Sequence, residues 1–215
     1  MMTGQMSSTA VPIRDKYFYQ QVARLHISGI SQGFLPQLGV DFMTLLYEAI
    51  DECPSSMLLT HCVEGKVVGF VSGADSMRPI YRQLMYKPLH VFVSLLPSLV
   101  RPHRLRRIFE IMHYGRQSHS DKEATMPAFE LLSIVVDPVA RGTGCADRLY
   151  QDLITYCRSN GIKDFKIVVG NALSPAHSFY KRMGAEPVGR VEVHAGEGSV
   201  VYVQRVLSNQ EDKND

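Results

Sequence analysis

The sequence lacks the features of a membrane-spanning protein, of a secreted protein and of a protein with a structural metal site. No apolar run reaches the ~20 residues that a membrane-spanning helix needs, and no basic segment followed by an apolar one opens the chain. The four cysteines show no close metal-ligand spacing. We therefore expect a cytoplasmic protein with reduced thiols and without a bound metal.

The composition is that of one folded domain, with or without an insertion. Of the 215 residues, 45% are hydrophobic, which is typical of a globular chain. The net charge of +2 favours no class of partner by itself. We expect residues 1–10 to be disordered, residues 11–207 to form the domain and residues 208–215 to form a loose tail.

The stretch from Glu130 to Ile154 has the pattern of a strand, a glycine loop and a helix. Glu130–Val136 is short, apolar and β-branched, which predicts a strand buried on both faces. Helical spacing is seen in the apolar residues that follow the loop, namely Ala146, Leu149, Tyr150, Leu153, Ile154 and Cys157. Gly142 and Gly144 lie between the two elements. Unpaired N–H groups at the start of a helix favour the binding of a phosphate there.

This loop differs from two common phosphate-binding loops. A P-loop requires Gly-Lys-Ser/Thr, but Cys145-Ala146 follows Gly144, and a dinucleotide loop requires a third glycine where Asp147 stands. The remaining pattern, Arg141-x-x-Gly144-x-Ala146, resembles the Gln/Arg-x-x-Gly-x-Gly/Ala loop of the GNAT superfamily of N-acetyltransferases. The resemblance implies a loop that holds the pyrophosphate of acetyl-coenzyme A.

The order of the predicted elements supports the resemblance. Before the glycine loop the sequence predicts a first strand at 11–14, helices at 16–28 and 40–51, and a β-hairpin at 56–63 and 66–72. After the loop it predicts a strand at 164–169, a helix at 176–183 and a final pair of strands at 188–193 and 200–206. This order is similar to that of the GNAT fold, an α/β fold with a mixed sheet. The stretch from Leu25 to Ile50, with Gly-Phe-Leu-Pro-x-Leu-Gly and Leu-Leu-Tyr, resembles a bacterial small-molecule subgroup of that family.

Residues 77–118 form an insertion between the third and fourth predicted strands. The insertion has eight basic residues and one acidic residue, a net charge of +7, and its middle part is apolar. We expect helices that form a lid or a wall of the acceptor pocket and that favour an anionic substrate. A helical hairpin that completes the core and a peripheral membrane contact are the alternatives. A nucleic-acid partner is not expected, because aromatic residues are not interleaved for base stacking.

Two residues are candidates for the proton transfers of an acetyl transfer. Glu130 stands 11 positions before Arg141, the offset of the catalytic glutamate in histone-acetylating members of the family, and the resemblance implies a general base. Ala176-x-x-Phe179-Tyr180-x-x-x-Gly184 resembles the family segment whose tyrosine reaches the coenzyme sulfur, so Tyr180 is the candidate general acid. The alternatives are an exposed strand-end carboxylate and a core aromatic residue. His113 and His119 are secondary candidates for the base.

The resemblance also implies a set of coenzyme contacts. Backbone groups of residues 133–136 are expected to pair with the pantetheine amides, and the glycine loop with the pyrophosphate. The expected coenzyme-binding residues are Ile134, Val135, Val136, Arg141, Gly142, Thr143, Gly144, Cys145, Ala146 and Asn171. The chain departs from the family pattern at Leu173, where an asparagine is usual, and at Ala185, where a phenylalanine is usual.

The sequence therefore predicts an acetyl-coenzyme A-dependent N-acetyltransferase with direct transfer to an amine. The basic insertion favours a small anionic acceptor, such as a nucleotide-linked amino sugar. A protein amine as acceptor, and a non-catalytic module that senses acetyl-coenzyme A, are the alternatives. The sequence also leaves open a hydroxyl acceptor, a longer acyl chain and a homodimer.

Overall fold

The computed structural model describes residues 13–30, 35–99, 126–194 and 197–206. Its helices are α1 (Lys16–Gly29), α2 (Val40–Glu52), α3 (Met77–Met85), α4 (Pro88–Leu99), α5 (Cys145–Ser159) and α6 (Ser174–Arg182). Its strands are β1 (Ser56–Val63), β2 (Lys66–Ala74), β3 (Glu130–Val136), β4 (Asp164–Gly170), β5 (Glu186–His194) and β6 (Glu197–Arg205). The predicted N-terminal disorder, the tail and residues 100–118 of the insertion lie outside the described residues.

The described strands form one mixed sheet in the order β1-β2-β3-β4-β6-β5. Neighbours are antiparallel within the group β1-β2-β3 and within the group β4-β6-β5. The two groups meet at β3 and β4, which are parallel. This arrangement confirms the predicted α/β fold with a mixed sheet.

The sheet opens between β3 and β4. These strands pair only through Glu130 with Lys166 and Leu131 with Ile167, at the first two residues of β3 and in the middle of β4. β3 nevertheless continues to Val136, where its other edge is still paired with β2. A β-bulge at Leu132 marks the place where the strands part. Beyond it, the β3 backbone groups on this edge have no ladder partner in the described part of β4.

Helices cover both faces of the sheet. α1 and α2 pack on one face, and α5 and α6 pack on the other, each over its own core of buried apolar side chains. Two glycines allow close approach: a Cβ on Gly29 would lie 2.3 Å from Cγ1 of Val135, and one on Gly69 would lie 2.9 Å from Sγ of Cys145. The first contact sets α1 against β3, and the second sets the first turn of α5 against β2.

The described part of the insertion packs against α2. It forms α3 and α4, with Ile80 and Leu84 buried in the α1–α2 core. The other face of α4 stays exposed at Leu89, Phe92 and Val93. This half of the insertion therefore completes the core, and a role as a pocket wall stays a prediction. No helix within the described ranges has the length and apolar character that crossing a membrane demands.

Several predicted bounds were wrong; β5 begins at Glu186 and not at Val188, and β6 begins at Glu197 and not at Val200. Ile13 and Arg14, the described half of the predicted first strand, lie outside any strand, and Arg14 instead forms an ion pair with Asp51 of α2. The insertion therefore lies between β2 and β3. α6 begins at Ser174 and not at Ala176, because the Leu173 carbonyl already accepts from the N–H groups of the first turn.

Candidate active site

The glycine loop presents backbone N–H groups that have no acceptor. A short 3-10 turn, Pro138–Ala140, follows β3 and is capped by Asp137, whose Oδ1 accepts from the Val139 N–H at 3.0 Å. Gly142 and Gly144 then adopt positive φ values of 77° and 79°, which glycine adopts at little cost. Within the described ranges, acceptors are absent for the N–H groups of Gly142, Gly144, Cys145 and Ala146. The positive end of α5 therefore faces outward at this loop.

The side chains of the loop have separate roles. Arg141 is exposed, and its Nε donates to the Val136 carbonyl at 3.4 Å, beside the end of β3. Thr143 Oγ1 donates to the Ala140 carbonyl at 2.7 Å and closes the loop. Cys145 is buried, and this burial raises the pKa of its thiol. Cys145 therefore offers the loop its backbone N–H and not a nucleophile.

The opening between β3 and β4 runs from this loop to the bulge at Leu132. Ile134 and Val136 pack their side chains on the α5 side, and Val135 packs on the α1 side. Only the backbone of these residues is therefore left to line the opening. A ligand anchored at the loop and extended along the opening would bring its far end to Leu132, where the two strands close.

Glu130 and Lys166 lie side by side at this closed end. Glu130 Oε2 is 3.6 Å from Lys166 Nζ, and the two residues are partners across the parallel strands. Their side chains are 32% and 22% exposed, so both remain accessible to solvent. Glu130 is aligned with Ala74, which belongs to the α1–α2 core, so the pair projects on that face of the sheet.

Tyr180 lies on the opposite face of the sheet. It is 6% exposed and packs with Tyr150, Phe179 and Tyr202, at ring-centroid distances of 6.0, 5.3 and 6.3 Å. Burial raises the pKa of the Tyr180 phenol, which keeps its proton at neutral pH. Because the sheet is open between β3 and β4, a ligand in the opening is approached from both faces. Glu130 and Tyr180 thus lie on opposite faces of the sheet.

Asn171 lies in the turn after β4, at the end of the sheet that also holds the glycine loop. Its N–H donates to the Gly198 carbonyl at 3.0 Å, and its Nδ2 is 2.7 Å from where a Cβ of Gly198 would be. Leu173, at the position where the family usually has asparagine, is 40% exposed. The structure therefore keeps an amide near the carboxyl ends of β3 and β4, held against β6.

His177 was missed by the sequence analysis. Its Nδ1 is 2.8 Å from the Tyr202 hydroxyl and its Nε2 is 3.1 Å from the Gly170 carbonyl. A neutral imidazole satisfies both contacts by accepting from Tyr202 and donating to Gly170. These bonds tie α6 to β4 and β6 one turn before Tyr180. The one signal in the sequence was the i, i+3 spacing of His177 and Tyr180 on a helix.

A buried polar cluster beneath the bulge was also missed. His26 of α1 is 5% exposed, and its Nδ1 lies 2.5 Å from the Tyr47 hydroxyl. Burial lowers the pKa of His26 to about 4, so its imidazole is uncharged at neutral pH. Its Nδ1 can therefore accept a hydrogen bond from the Tyr47 hydroxyl. Ser72 and Ser133, which are cross-strand partners at the bulge, lie beside that hydroxyl. Ser72 Oγ is buried and makes no hydrogen bond among the described residues.

The remaining candidates concern metals and secondary bases. His113 and His119 lie outside the described residues. In the described part of the chain, no three His, Cys, Asp or Glu side chains come together as a metal site. All four cysteines are free thiols.

The sequence matches the model of the Acetyltransferase (GNAT) family over residues 104–185. The matched residues include β3, the glycine loop, α5, β4 and α6, and thus both candidate catalytic residues. No curated protein matches the sequence.

Solved structures resemble the chain in fold at low sequence identity. An N-acetyltransferase from Staphylococcus aureus Mu50 is 14% identical with a TM-score of 0.55, over 90% of this chain and 95% of that one. Aminoglycoside 6′-acetyltransferase type Ii is 14% identical with a TM-score of 0.57, over 91% and 94%. An aminoglycoside 6′-N-acetyltransferase complexed with coenzyme A is 12% identical with a TM-score of 0.56, over 89% and 92%.

The two comparisons agree with the geometry of the opening and its loop. The family match falls on the segment that builds the site, and the likeness in fold extends over about nine-tenths of the chain. This confirms the predicted family. The part of the chain that builds the site, residues 104–185, is therefore a GNAT acetyltransferase domain.

Proposed function

We propose that this enzyme transfers acetyl from acetyl-coenzyme A directly to an amine of a small molecule, in a ternary complex. One observation carries the proposal: the opening between β3 and β4 runs from a loop rich in free N–H groups to an accessible carboxylate, Glu130. The loop suits an anion, and the opening suits an extended chain with amide groups. Acetyl-coenzyme A has an anionic pyrophosphate followed by an extended pantetheine arm with amide groups, in the order of the loop and the opening.

The coenzyme is bound mainly by backbone groups. The pyrophosphate accepts from the N–H groups of Gly142, Gly144, Cys145 and Ala146, with Arg141 as the cation beside it. Thr143 keeps the loop closed. The pantetheine arm pairs with the free edge of β3 at Ile134, Val135 and Val136, and Asn171 contacts it from the β4 side. The thioester then lies near Leu132, within reach of groups from both faces of the sheet.

Glu130 acts as the general base for the acceptor. An alkyl ammonium group with a pKa of ~10.4 needs ~4.6 kcal/mol to become neutral at pH 7. Glu130 accepts one proton from the ammonium group, and the neutral nitrogen then attacks the thioester carbonyl. The nitrogen loses a second proton as the tetrahedral intermediate collapses. Glu130 can accept the first proton because it is accessible and stands at the end of the opening where the thioester lies.

Tyr180 acts on the leaving group from the other face. As the carbon–sulfur bond breaks, negative charge develops on the coenzyme sulfur. The Tyr180 phenol, which burial keeps protonated, donates a hydrogen bond to that sulfur. One of the two protons lost by the nitrogen balances the thiolate and the other passes to solvent, so the products are an amide and a neutral thiol.

A small amine is preferred to a protein amine as the acceptor. Two of the structural neighbours are aminoglycoside acetyltransferases, although their likeness is one of fold. A cytoplasmic setting is consistent with the four free thiols. A peripheral membrane contact through α3 and α4 stays an alternative role for the insertion, because the α4 face at Leu89, Phe92 and Val93 is exposed.

The test is calorimetric titration with acetyl-coenzyme A. We expect binding to the parent protein and none to an Arg141→Glu/Gly144→Asp variant. A matched control, Arg24→Glu/Gly65→Asp, places the same changes on the exposed side of α1 and at another positive-φ glycine, with φ of 76°. Absence of binding to the parent would overturn the proposal. Binding without thiol release in the presence of an amine panel would instead favour a non-catalytic sensing module.

A further inference from the structure

Glu130 and Lys166 place a negative and a positive charge side by side where the acceptor amine is proposed to bind. A general base needs only a carboxylate, yet β4 supplies an ammonium group 3.6 Å away. Strand pairing brings the two side chains together, because Glu130 and Lys166 are partners in the short parallel ladder. The two charges therefore form a dipole at the closed end of the opening.

An acceptor with one positive charge would meet an unfavourable cation beside its own ammonium group. An acceptor that carries an ammonium group and a carboxylate two or three bonds apart matches the dipole instead. Its ammonium group lies on Glu130, its carboxylate lies on Lys166, and the four charges alternate in sign. The 3.6 Å spacing suits an α-amino acid better than a long diamine or an aminoglycoside ring.

The neighbouring surface is apolar on the same face of the sheet. Val203 is the partner of Lys166, and Val168 stands two residues further along β4; both are partly exposed. Met126 reaches toward this region, since its Cε lies 3.9 Å from where a Cβ of Gly189 would be. A hydrocarbon side chain on the acceptor α-carbon would have apolar contacts there.

We propose that the acceptor is an α-amino acid, with Lys166 as the residue that selects its carboxylate. This inference rests on the proposed function, since it assumes that Glu130 receives the amine. The predicted anionic acceptor thus becomes a zwitterion, and the selecting cation lies on β4 instead of in the basic insertion.

The experiment compares amino acids with their own amides. Thiol release from acetyl-coenzyme A is measured with glycine, leucine and phenylalanine, each beside its amide, and with glucosamine as an amine without a carboxylate. The amide of each pair has the less basic amine, which is more often neutral, so a preference for the acid runs against intrinsic reactivity. We expect kcat/KM to be at least ~10-fold higher for one or more of the acids than for its amide.

Substitutions of Lys166 then test whether this residue causes the preference for amino acids over their amides. Lys166→Met should lower the acid-to-amide ratio of kcat/KM by roughly 10- to 100-fold, and Lys166→Glu should bring it below one. Lys181→Glu, on the exposed surface of α6, is the matched control and should keep the ratio. Titration with acetyl-coenzyme A verifies that each variant is folded.

Different results would contradict the amino-acid acceptor and the acetyltransferase activity itself. Equal turnover of acids and amides, exclusive turnover of glucosamine, or a ratio that Lys166→Met does not change would overturn the inference and leave the acetyltransferase intact. Coenzyme binding without thiol release for any amine would overturn the proposed function, and with it the inference.

Discussion

Replacing Gly69 by alanine should damage stability and coenzyme binding together. Gly69 lies in β2, on the side of the sheet that α5 covers. A Cβ there would lie 2.9 Å from Cys145 Sγ, 2.9 Å from Leu149 Cδ1 and 3.3 Å from the Val135 carbonyl. The methyl group must therefore push the first turn of α5 away from the sheet, or displace β3. Overpacking of this kind costs about 1–3 kcal/mol.

The same shift reaches the coenzyme site because Cys145 directly follows Gly144. The N–H groups proposed to hold the pyrophosphate would move with the first turn and lose alignment. Hydrogen bonds to charged groups contribute about 1.5–3 kcal/mol each, so partial misalignment should cost ~1 kcal/mol of binding, or about fivefold in Kd. For a domain of this size, the loss of folding free energy should lower Tm by about 2–12 °C.

A double variant tests the cause. Gly69→Ala/Cys145→Ala removes one of the two side-chain contacts and leaves the Leu149 methyl, which can rotate away. We expect a coupling free energy of ~1 kcal/mol or more in urea unfolding, and a Kd within about twofold of the parent. Gly189→Ala in β5 is the control, since its nearest neighbour, Met126 Cε, is 3.9 Å away. Strictly additive losses, or a normal Kd in the unstable Gly69→Ala protein, would refute the reasoning.

Three further variants probe acid–base groups. Tyr180→Phe keeps the packed ring and removes the donor, so turnover should fall about 100-fold with little change in coenzyme Kd; unchanged turnover would remove Tyr180 from the mechanism. His177→Phe leaves the buried Tyr202 hydroxyl without its acceptor, so urea unfolding should show a loss of about 1–3 kcal/mol, and an unchanged midpoint would contradict the contact. The folded-state pKa of His26, about 4, lies below its ordinary 6.5, so the unfolded chain binds more protons between these values. Stability, measured by urea unfolding at each pH, should therefore fall by up to about 3 kcal/mol as the pH drops from 6.5 to 4, and His26→Gln should flatten this dependence.

The segment around the glycine loop was predictable because its signals are local. The strand Glu130–Val136, the two glycines and the apolar spacing of α5 are all read from adjacent residues, and the structure has each of them where the sequence placed it. The helix that starts after Asp15 was equally clear, since Asp15 caps it as a short polar side chain should.

Other features depend on contacts between distant parts of the chain. Glu130 lies beside Lys166 because of the register of two parallel strands. The residue pattern of neither strand predicts that register. His26 and Tyr47 sit in helical apolar stripes and resemble ordinary core residues until the fold brings them to Ser72 and Ser133. The predicted strand at 11–14 was wrong in its described half, where Arg14 contacts Asp51 of α2, a residue distant in the sequence.

The buried polar cluster around His26 and Tyr47, which the sequence analysis missed, lies where the sheet opens. β3 must leave β4 after Leu131 while staying paired with β2, and the bulge at Leu132 absorbs the change. Near that point the Tyr47 hydroxyl lies 2.5 Å from Nδ1 of the buried His26 in α1. The buried hydroxyl of Ser72, the partner of Ser133 across the bulge, makes no hydrogen bond among the described residues, which costs free energy. The polar cluster of α1 and α2 therefore lies beside the residues at which β3 parts from β4, and not in a purely apolar core.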